Sequence, residues 1–150
     1  FKDFFPLLSS PELMGLWLSL AKKRYVNADF DVIAGLDARG LVVGSLIAQA
    51  LEKPFIPIRK KGKLPGEVLR AKYTKEYGVD EFEMQSGSVA NKKVLLVDDL
   101  IASGGSLCAA LELVRKDGGD VFEVFTLLDV PQLNGAQSLA CKSFNLISFD

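Results

Sequence analysis

One segment of the sequence, residues 94–106, combines residue types that could bind a sugar phosphate. It begins as a continuous apolar run, which is typical of a buried parallel strand whose carboxyl end carries function. The run ends in Asp98 and Asp99, whose carboxylates would repel a phosphate but could accept hydrogen bonds from an attached sugar. The small residues that follow let the backbone approach a phosphate and offer amide and hydroxyl donors, so the segment predicts a ribose 5-phosphate site. The predicted phosphate ligands are Ala102, Ser103, Gly104, Gly105 and Ser106.

Two other interpretations of this segment compete with a sugar phosphate site. The first is an ordinary turn between a strand and a helix, with an aspartate as the helix cap. Two adjacent acids followed by Ser-Gly-Gly-Ser disfavour that interpretation. The second is a nucleotide-binding P-loop, which is excluded because the segment lacks the Gly-Lys-Ser/Thr ending.

Residues 37–40, Asp-Ala-Arg-Gly, follow another short apolar run. At a strand end, the backbone amides around Asp37 and Ala38 and the guanidinium of Arg39 could hold pyrophosphate oxygens. The alternative is a surface turn with a solvated arginine.

Residues 59–66, Arg-Lys-Lys-Gly-Lys-Leu-Pro-Gly, are basic and contain turn residues, which predicts a mobile loop outside the core. The cations Arg59, Lys60 and Lys63 are open to two interpretations. They are either solvated or part of a lid that neutralises a leaving pyrophosphate.

Composition excludes several classes of function. The 150 residues contain no histidine, which excludes Ser-His-Asp and Cys-His catalysis and the usual histidine metal sites. The net charge of -1 gives no general attraction for polyanions, so we expect no nucleic-acid partner. The apolar runs are too short to span a bilayer and the first residues lack the layout of a secretion signal, so we expect a soluble cytoplasmic protein with no membrane partner.

The length and the hydrophobic fraction of 49% predict a single domain over residues 1–150 with a substantial core. Because the sequence starts without Met, we expect that some N-terminal residues of the full chain are missing. Cys108 and Cys141 are far apart in the sequence, and we expect two reduced, buried thiols in preference to a disulfide.

The order of apolar runs and amphipathic stretches predicts an α/β chain with a mostly parallel sheet. Ser10 and the proline after it mark the start of a helix, in which Leu13, Trp17 and Leu20 would face the core. In residues 71–85 polar and apolar residues alternate, which predicts a half-exposed antiparallel hairpin beside the sheet. The other predicted strands are residues 31–36, 54–58, 93–97, 121–130 and 143–149, and the other predicted helices are residues 41–51, 106–116 and 133–140.

The segment around Asp98 resembles the phosphoribosyl pyrophosphate signature of type I phosphoribosyltransferases, Val-Val-Asp-Asp-Leu-x-Ala-Thr/Ser-Gly-Gly-Thr/Ser. Other stretches are similar, in the same order, to motifs of the adenine phosphoribosyltransferase family, over nearly the whole chain. They are residues 1–3 (Phe-Lys-Asp), residues 35–40 (Gly-Leu-Asp-Ala-Arg-Gly), residues 59–66 and residues 75–78 (Lys-Glu-Tyr-Gly).

The resemblance implies the type I phosphoribosyltransferase fold, in which helices flank a mostly parallel central sheet that carries an antiparallel flap hairpin. The implied reaction transfers the phosphoribosyl group of phosphoribosyl pyrophosphate to adenine and gives AMP and pyrophosphate. The resemblance also implies that Mg²⁺ is held mainly by substrate oxygens, with no dedicated protein ligands, and that the chain forms a homodimer.

The resemblance also assigns roles to single residues. Glu76 would handle a proton at the purine ring, with Arg39 as the second catalytic residue, and the peptide between Asp37 and Ala38 is expected to have unusual, cis geometry. The ribose 5-phosphate would be bound by Asp98, Asp99, Ala102, Ser103, Gly104, Gly105 and Ser106; the pyrophosphate by Asp37, Ala38, Arg39, Arg59, Lys60, Lys63 and Tyr77; and adenine by a pocket at Phe1 and Lys2. Lys2 stands where the family usually has arginine, and Ala38 where it has serine.

Two rival functions keep the phosphate-binding segment. A phosphoribosyltransferase for another purine, such as xanthine, is not expected to combine Lys-Gly-Lys-Leu-Pro-Gly with Glu-Tyr-Gly. A regulator that senses phosphoribosyl pyrophosphate without turning it over would carry a DNA-binding module and lose lid residues. No such module is visible in the sequence, and Lys63, Glu76 and Tyr77 are present.

Overall fold

A computed structural model describes residues 3–75 and 78–149 of the chain. Within these residues, seven strands form one sheet in the order β3-β4-β2-β1-β5-β6-β7. The strands are β1 (Val32–Leu36), β2 (Phe55–Lys60), β3 (Val68–Lys75), β4 (Gly78–Gln85), β5 (Lys93–Ile101), β6 (Asp120–Asp129) and β7 (Ser143–Ser148). The helices are α1 (Phe5–Ser9), α2 (Pro11–Tyr25), α3 (Arg39–Leu51), α4 (Gly105–Lys116) and α5 (Gly135–Ser138), with a 3₁₀ turn at Pro131–Leu133.

The pairing of the strands confirms the predicted fold class. Strands β2, β1, β5, β6 and β7 pair in parallel, whereas β3 and β4 form an antiparallel hairpin. The predicted hairpin lies at the edge of this sheet. It continues the sheet, because β4 pairs antiparallel with the end of β2.

The strand ends near the predicted site differ from the sequence prediction. Arg59 and Lys60 belong to β2 and pair with Glu83 and Phe82 of β4, so the prediction that they start a mobile loop is wrong. Composition could not show this, because the pairing comes from a strand that lies later in the chain. Strand β5 likewise runs on through the two aspartates to Ile101, beside β6.

Apolar side chains cover both faces of the sheet. Successive residues of a strand point to opposite faces, so Ala34 of β1 packs with the helix α4 face and Ile33 with the helix α2 and α3 face. The buried side chains thus form one hydrophobic cluster on each face of the sheet, and the two clusters together fix the strand ends that carry the predicted site.

Helix α2 begins as predicted, because the Ser10 hydroxyl accepts a hydrogen bond from the amide of Leu13 at 3.3 Å. Its predicted core face is wrong for two of three residues. Trp17 is buried, but the side chains of Leu13 and Leu20 are 41% and 47% exposed. The buried stripe instead runs through Trp17, Ala21 and Tyr25 at four-residue spacing, which leaves leucines on the outer side.

The segment predicted as one helix over residues 133–140 is a 3₁₀ turn followed by the short helix α5. Asn134, between them, has a left-handed backbone with φ of +54°, which ends the first turn. None of the described helices is long and apolar enough to cross a membrane. Both cysteines are free, but Cys108 is exposed and Cys141 is only half-buried, so the expectation of two buried thiols is wrong.

Candidate active site

An open cavity of about 560 Å³ lies where the carboxyl ends of β1 and β5 meet the hairpin. Eleven of the predicted site residues line it. They are Asp37, Ala38, Arg39, Lys60, Asp98, Asp99, Ala102, Ser103, Gly104, Gly105 and Ser106. Residues up to 69 positions apart in the sequence thus share one cavity because parallel strands present their carboxyl ends at one edge of the sheet.

The phosphate loop, residues 102–106, passes directly into helix α4. Gly104 is the residue before the helix and has a left-handed backbone with φ of +84°, which glycine adopts without the penalty of a Cβ. The first amides of a helix have no intrahelical acceptor and point away from its N-terminus. At α4 they meet the cavity, which makes this end of the helix suitable for an anion.

The two aspartates of β5 are buried at the cavity wall, with 9% of Asp98 and 5% of Asp99 exposed. Arg39 at the start of α3 contacts the second of them, with 3.0 Å between Nε and Oδ2 of Asp99. Burial, together with the charge of Asp99, raises the pKa of the Asp98 carboxyl well above its ordinary value. The pair therefore combines a charged acceptor held by an arginine with a carboxyl group that resists ionisation.

The peptide bond between Asp37 and Ala38 is cis, which confirms the unusual geometry expected there. The Asp37 carboxylate accepts hydrogen bonds from Nε of Arg59 at 2.8 Å and from the amide of Lys60 at 3.3 Å. Burial opposes the ionisation of Asp37, but these hydrogen bonds outweigh burial and lower its pKa. Through these hydrogen bonds, strand β2 stabilises the loop that precedes Arg39.

The remaining predicted site residues lie outside this cavity lining or outside the described residues. Arg59 reaches the cavity only through Asp37, and the described contact of Lys63 is a hydrogen bond from its amide to Glu83. Phe1, Lys2, Glu76 and Tyr77 lie outside the described residues.

Four residues of the lining were not predicted: Tyr73, Thr74, Phe82 and Leu100. The rings of Tyr73 and Phe82 stack with their centroids 4.6 Å apart. They are diagonal neighbours across the hairpin, because Tyr73 pairs with Asp80. The alternation of residues 71–85 predicts a hairpin but does not predict which residues pair across it. That register places the aromatic pair at the cavity.

The sequence pattern of the phosphoribosyl transferase domain matches residues 9–149. The chain belongs to the phosphoribosyltransferase family. It is 43% identical to the adenine phosphoribosyltransferase of Marinomonas sp. (strain MWYL1), covering all of this chain and 86% of that protein. It is 45% identical to the adenine phosphoribosyltransferase of Caenorhabditis elegans, covering all of this chain and 83% of the relative.

Among solved phosphoribosyltransferase structures, the Saccharomyces cerevisiae adenine enzyme superposes with a TM-score of 0.91 at 38% identity. The match covers 98% of this chain and 86% of the yeast chain, and the yeast enzyme was crystallised with adenine and an imino-altritol bisphosphate.

In this phosphoribosyltransferase, the turn after Lys60 is held by a buried carboxylate. Glu83 of β4 is completely buried and accepts hydrogen bonds from the amides of Lys63 and Leu64, both at 2.8 Å. Nε of Arg70 lies 3.5 Å from the other carboxylate oxygen. Burial opposes ionisation, yet the hydrogen bonds from the backbone amides of the turn lower the pKa of Glu83. The sequence alternation had placed this side chain on the exposed face of the hairpin.

We expect Glu83→Ala to lower the free energy of unfolding by about 3 kcal/mol, because it removes the buried carboxylate that accepts hydrogen bonds from two backbone amides of the turn. Urea denaturation followed by circular dichroism measures the change. Glu112→Ala is the matched control, since Glu112 forms an exposed pair with Lys116 that contributes about 0.5 kcal/mol. Equal losses in the two variants would contradict the role of Glu83.

Proposed function

We propose that the protein transfers the phosphoribosyl group of phosphoribosyl pyrophosphate to adenine, giving AMP and pyrophosphate in purine salvage. The observation that carries the proposal is the meeting of three groups in one cavity: the phosphate loop, the two aspartates, and the cis-peptide loop with Arg39. These groups match the 5-phosphate, the ribose and the pyrophosphate of the donor. The relatives named adenine phosphoribosyltransferase support adenine as the acceptor.

In the proposed reaction a ring nitrogen of adenine forms a bond to C1 of the ribose, with inversion, while the bond from C1 to pyrophosphate breaks. The transition state then resembles an oxocarbenium ion, which the site must hold still and shield from water. The amides of the phosphate loop bind the 5-phosphate, and Asp98 and Asp99 accept hydrogen bonds from the ribose hydroxyls. Arg39 and Lys60 stabilise the negative charge that develops on pyrophosphate.

The proposed roles of six further residues rest on the resemblance of their motifs. Glu76 handles the proton at the purine ring, Tyr77 binds a phosphate, and Phe1 and Lys2 contribute to the adenine pocket. Lys63, like Arg59, adds positive charge on the pyrophosphate side. Undiminished turnover of a Glu76→Ala variant would remove the role of that acid alone.

We propose that Mg²⁺ enters as a complex with phosphoribosyl pyrophosphate. No group of three or more carboxylate or thiol ligands among the described residues could hold a metal ion by itself. The cavity nevertheless offers the hard oxygen donors of Asp98 and Asp99, which Mg²⁺ accepts directly or through water. The ion would neutralise negative charge on the pyrophosphate, whereas the protein's own residues position the ribose and Arg39.

The base is tested by incubating the protein with phosphoribosyl pyrophosphate, Mg²⁺ and each of adenine, hypoxanthine, guanine and xanthine, and measuring initial rates of pyrophosphate release. We expect the rate with adenine to exceed the others by about 100-fold. A faster rate with xanthine would show that xanthine, and not adenine, is the preferred substrate. Binding of phosphoribosyl pyrophosphate without release for any base would favour a sensing regulator.

We propose that the protein forms a homodimer, as the resemblance implies. Several large apolar side chains of its first three helices are exposed: Phe5, Leu13, Leu16, Leu20 and Val42. Such a set is what a protein interface covers. Multi-angle light scattering should give twice the mass of the 150-residue chain, and Leu16→Glu, at a site 59% exposed, should give the monomer. A monomeric unmodified protein would contradict the proposal.

We also propose a cytoplasmic location. The free state of both cysteines is what a reducing compartment maintains.

A further inference from the structure

Helix α5 packs directly against the phosphate loop, backbone to backbone. A Cβ added at Gly135 would overlap the carbonyl oxygen of Ala102 and would lie 2.9 Å from the amide nitrogen of Gly104. A Cβ added at Gly104 would in turn lie 2.8 Å from the carbonyl oxygen of Gly135. The two segments approach this closely because Gly104 and Gly135 have no side chain.

A hydroxyl group ties the two segments together. Oγ of Ser138 lies 2.7 Å from the carbonyl oxygen of Gly135, within α5, and 3.3 Å from that of Ser103, in the phosphate loop. Its single proton is therefore shared between the helix and the loop. The thiol of Cys108, one turn into α4, lies 3.8 Å from the carbonyl oxygen of Ser138.

The position of α5 is itself fixed by the fold. The residue after the helix, Leu139, is buried in the same core cluster as Leu107 of α4. On the other side, the 3₁₀ turn follows β6 directly and its Gln132 donates a hydrogen bond to the carbonyl oxygen of Phe149. Helix α5 is thus fixed at both ends, and its middle contacts the phosphate loop.

We propose that α5 is a buttress that holds the phosphate loop in its anion-binding conformation, with Gly135 and Ser138 as positioning residues. Neither residue lines the cavity, so both act through the loop. Convergent amides bind a phosphate monoester only when each is held in place, and a displacement of about 1 Å is enough to weaken such a site strongly. The inference rests on the proposed assignment of this loop to the 5-phosphate.

The buttress predicts that α5 variants weaken binding at one end of the donor only. For Gly135→Ala, the KM for phosphoribosyl pyrophosphate and the Kd for ribose 5-phosphate should both rise by about 10-fold or more, because the new methyl group displaces the loop. The KM for adenine and the Kd for pyrophosphate should stay within about twofold. Gly15→Ala is the matched control, since a Cβ at Gly15 meets nothing within 4 Å.

Ser138→Ala removes only the hydroxyl and creates no overlap. We expect it to raise the Kd for ribose 5-phosphate by about threefold to tenfold, which corresponds to one neutral hydrogen bond, with an unchanged melting temperature. This variant decides the matter if Gly135→Ala does not fold.

Calorimetric titration of the unmodified protein with ribose 5-phosphate and with Mg²⁺-pyrophosphate comes first. Failure of the unmodified protein to bind ribose 5-phosphate would refute the proposed function itself. If it binds, equal losses of affinity for both ligands in Gly135→Ala, or an unchanged Kd for ribose 5-phosphate in Ser138→Ala, would overturn the buttress alone.

Discussion

Replacing Arg39 with alanine should lower kcat by about 100- to 1,000-fold, the usual effect of removing one preorganised donor from developing negative charge. Arg39 lines the cavity beside the cis peptide, and its guanidinium is held by the buried Asp99. In the proposed reaction Arg39 supplies fixed positive charge to the departing pyrophosphate. The loss should therefore appear in kcat as well as in the KM for phosphoribosyl pyrophosphate.

Steady-state kinetics of Arg39→Ala beside Arg115→Ala tests this expectation. Arg115 is exposed on α4, outside the cavity, and donates a hydrogen bond to the carbonyl oxygen of Ala140. Because Arg39 also pairs with the buried Asp99, urea denaturation of both variants separates a loss of stability from a loss of catalysis. A kcat within a few fold of the control would show that Arg39 is a solvated surface residue.

Replacing Asp98 with asparagine should change activity and stability in opposite directions. Burial and the charge of Asp99 raise the pKa of Asp98, so the folded protein keeps this proton to a higher pH than the unfolded chain does. The stabilising contribution is complete below the unfolded pKa of about 4 and is lost as the pH rises through the raised, folded pKa. An amide cannot ionise, so the variant escapes this loss and should be more stable than the unmodified protein at alkaline pH.

The activity of Asp98→Asn should fall by about 10- to 100-fold in kcat/KM, because the amide nitrogen can only donate, so one oxygen acceptor for a ribose hydroxyl is lost. Urea denaturation across a pH series, together with kinetics at neutral pH, measures both effects. Asp120→Asn, at an exposed carboxyl group, is the control and should show neither effect. Stability that rises with pH in the unmodified protein relative to Asp98→Asn would contradict the sign of this argument.

The chemistry of the phosphate and ribose site could be predicted from the sequence because the residues that form it are contiguous. Asp98, Asp99 and the phosphate loop follow one another on a strand, a turn and a helix start, and each type of residue has one main use in that order. The geometry at Ala38 was also predicted, but through resemblance to a family and not through propensity.

What could not be predicted depends on contacts between distant segments. The alternation of polar and apolar residues predicts that Glu83 is exposed. It is buried because a turn 20 residues upstream covers it and donates hydrogen bonds to its carboxylate. Ser138 meets Ser103 across 35 residues, and no periodicity in either segment indicates the other. The outward-facing Leu20 follows from the same cause, since which stripe of α2 is buried depends on where the sheet lies.

The central claim is group transfer from phosphoribosyl pyrophosphate to adenine, and product analysis tests it most directly. The protein is incubated with adenine, phosphoribosyl pyrophosphate and Mg²⁺, and AMP and pyrophosphate are quantified by chromatography as adenine is consumed. The account predicts equimolar AMP and pyrophosphate, in step with the loss of adenine. Pyrophosphate without AMP, or no consumption of adenine, would contradict it.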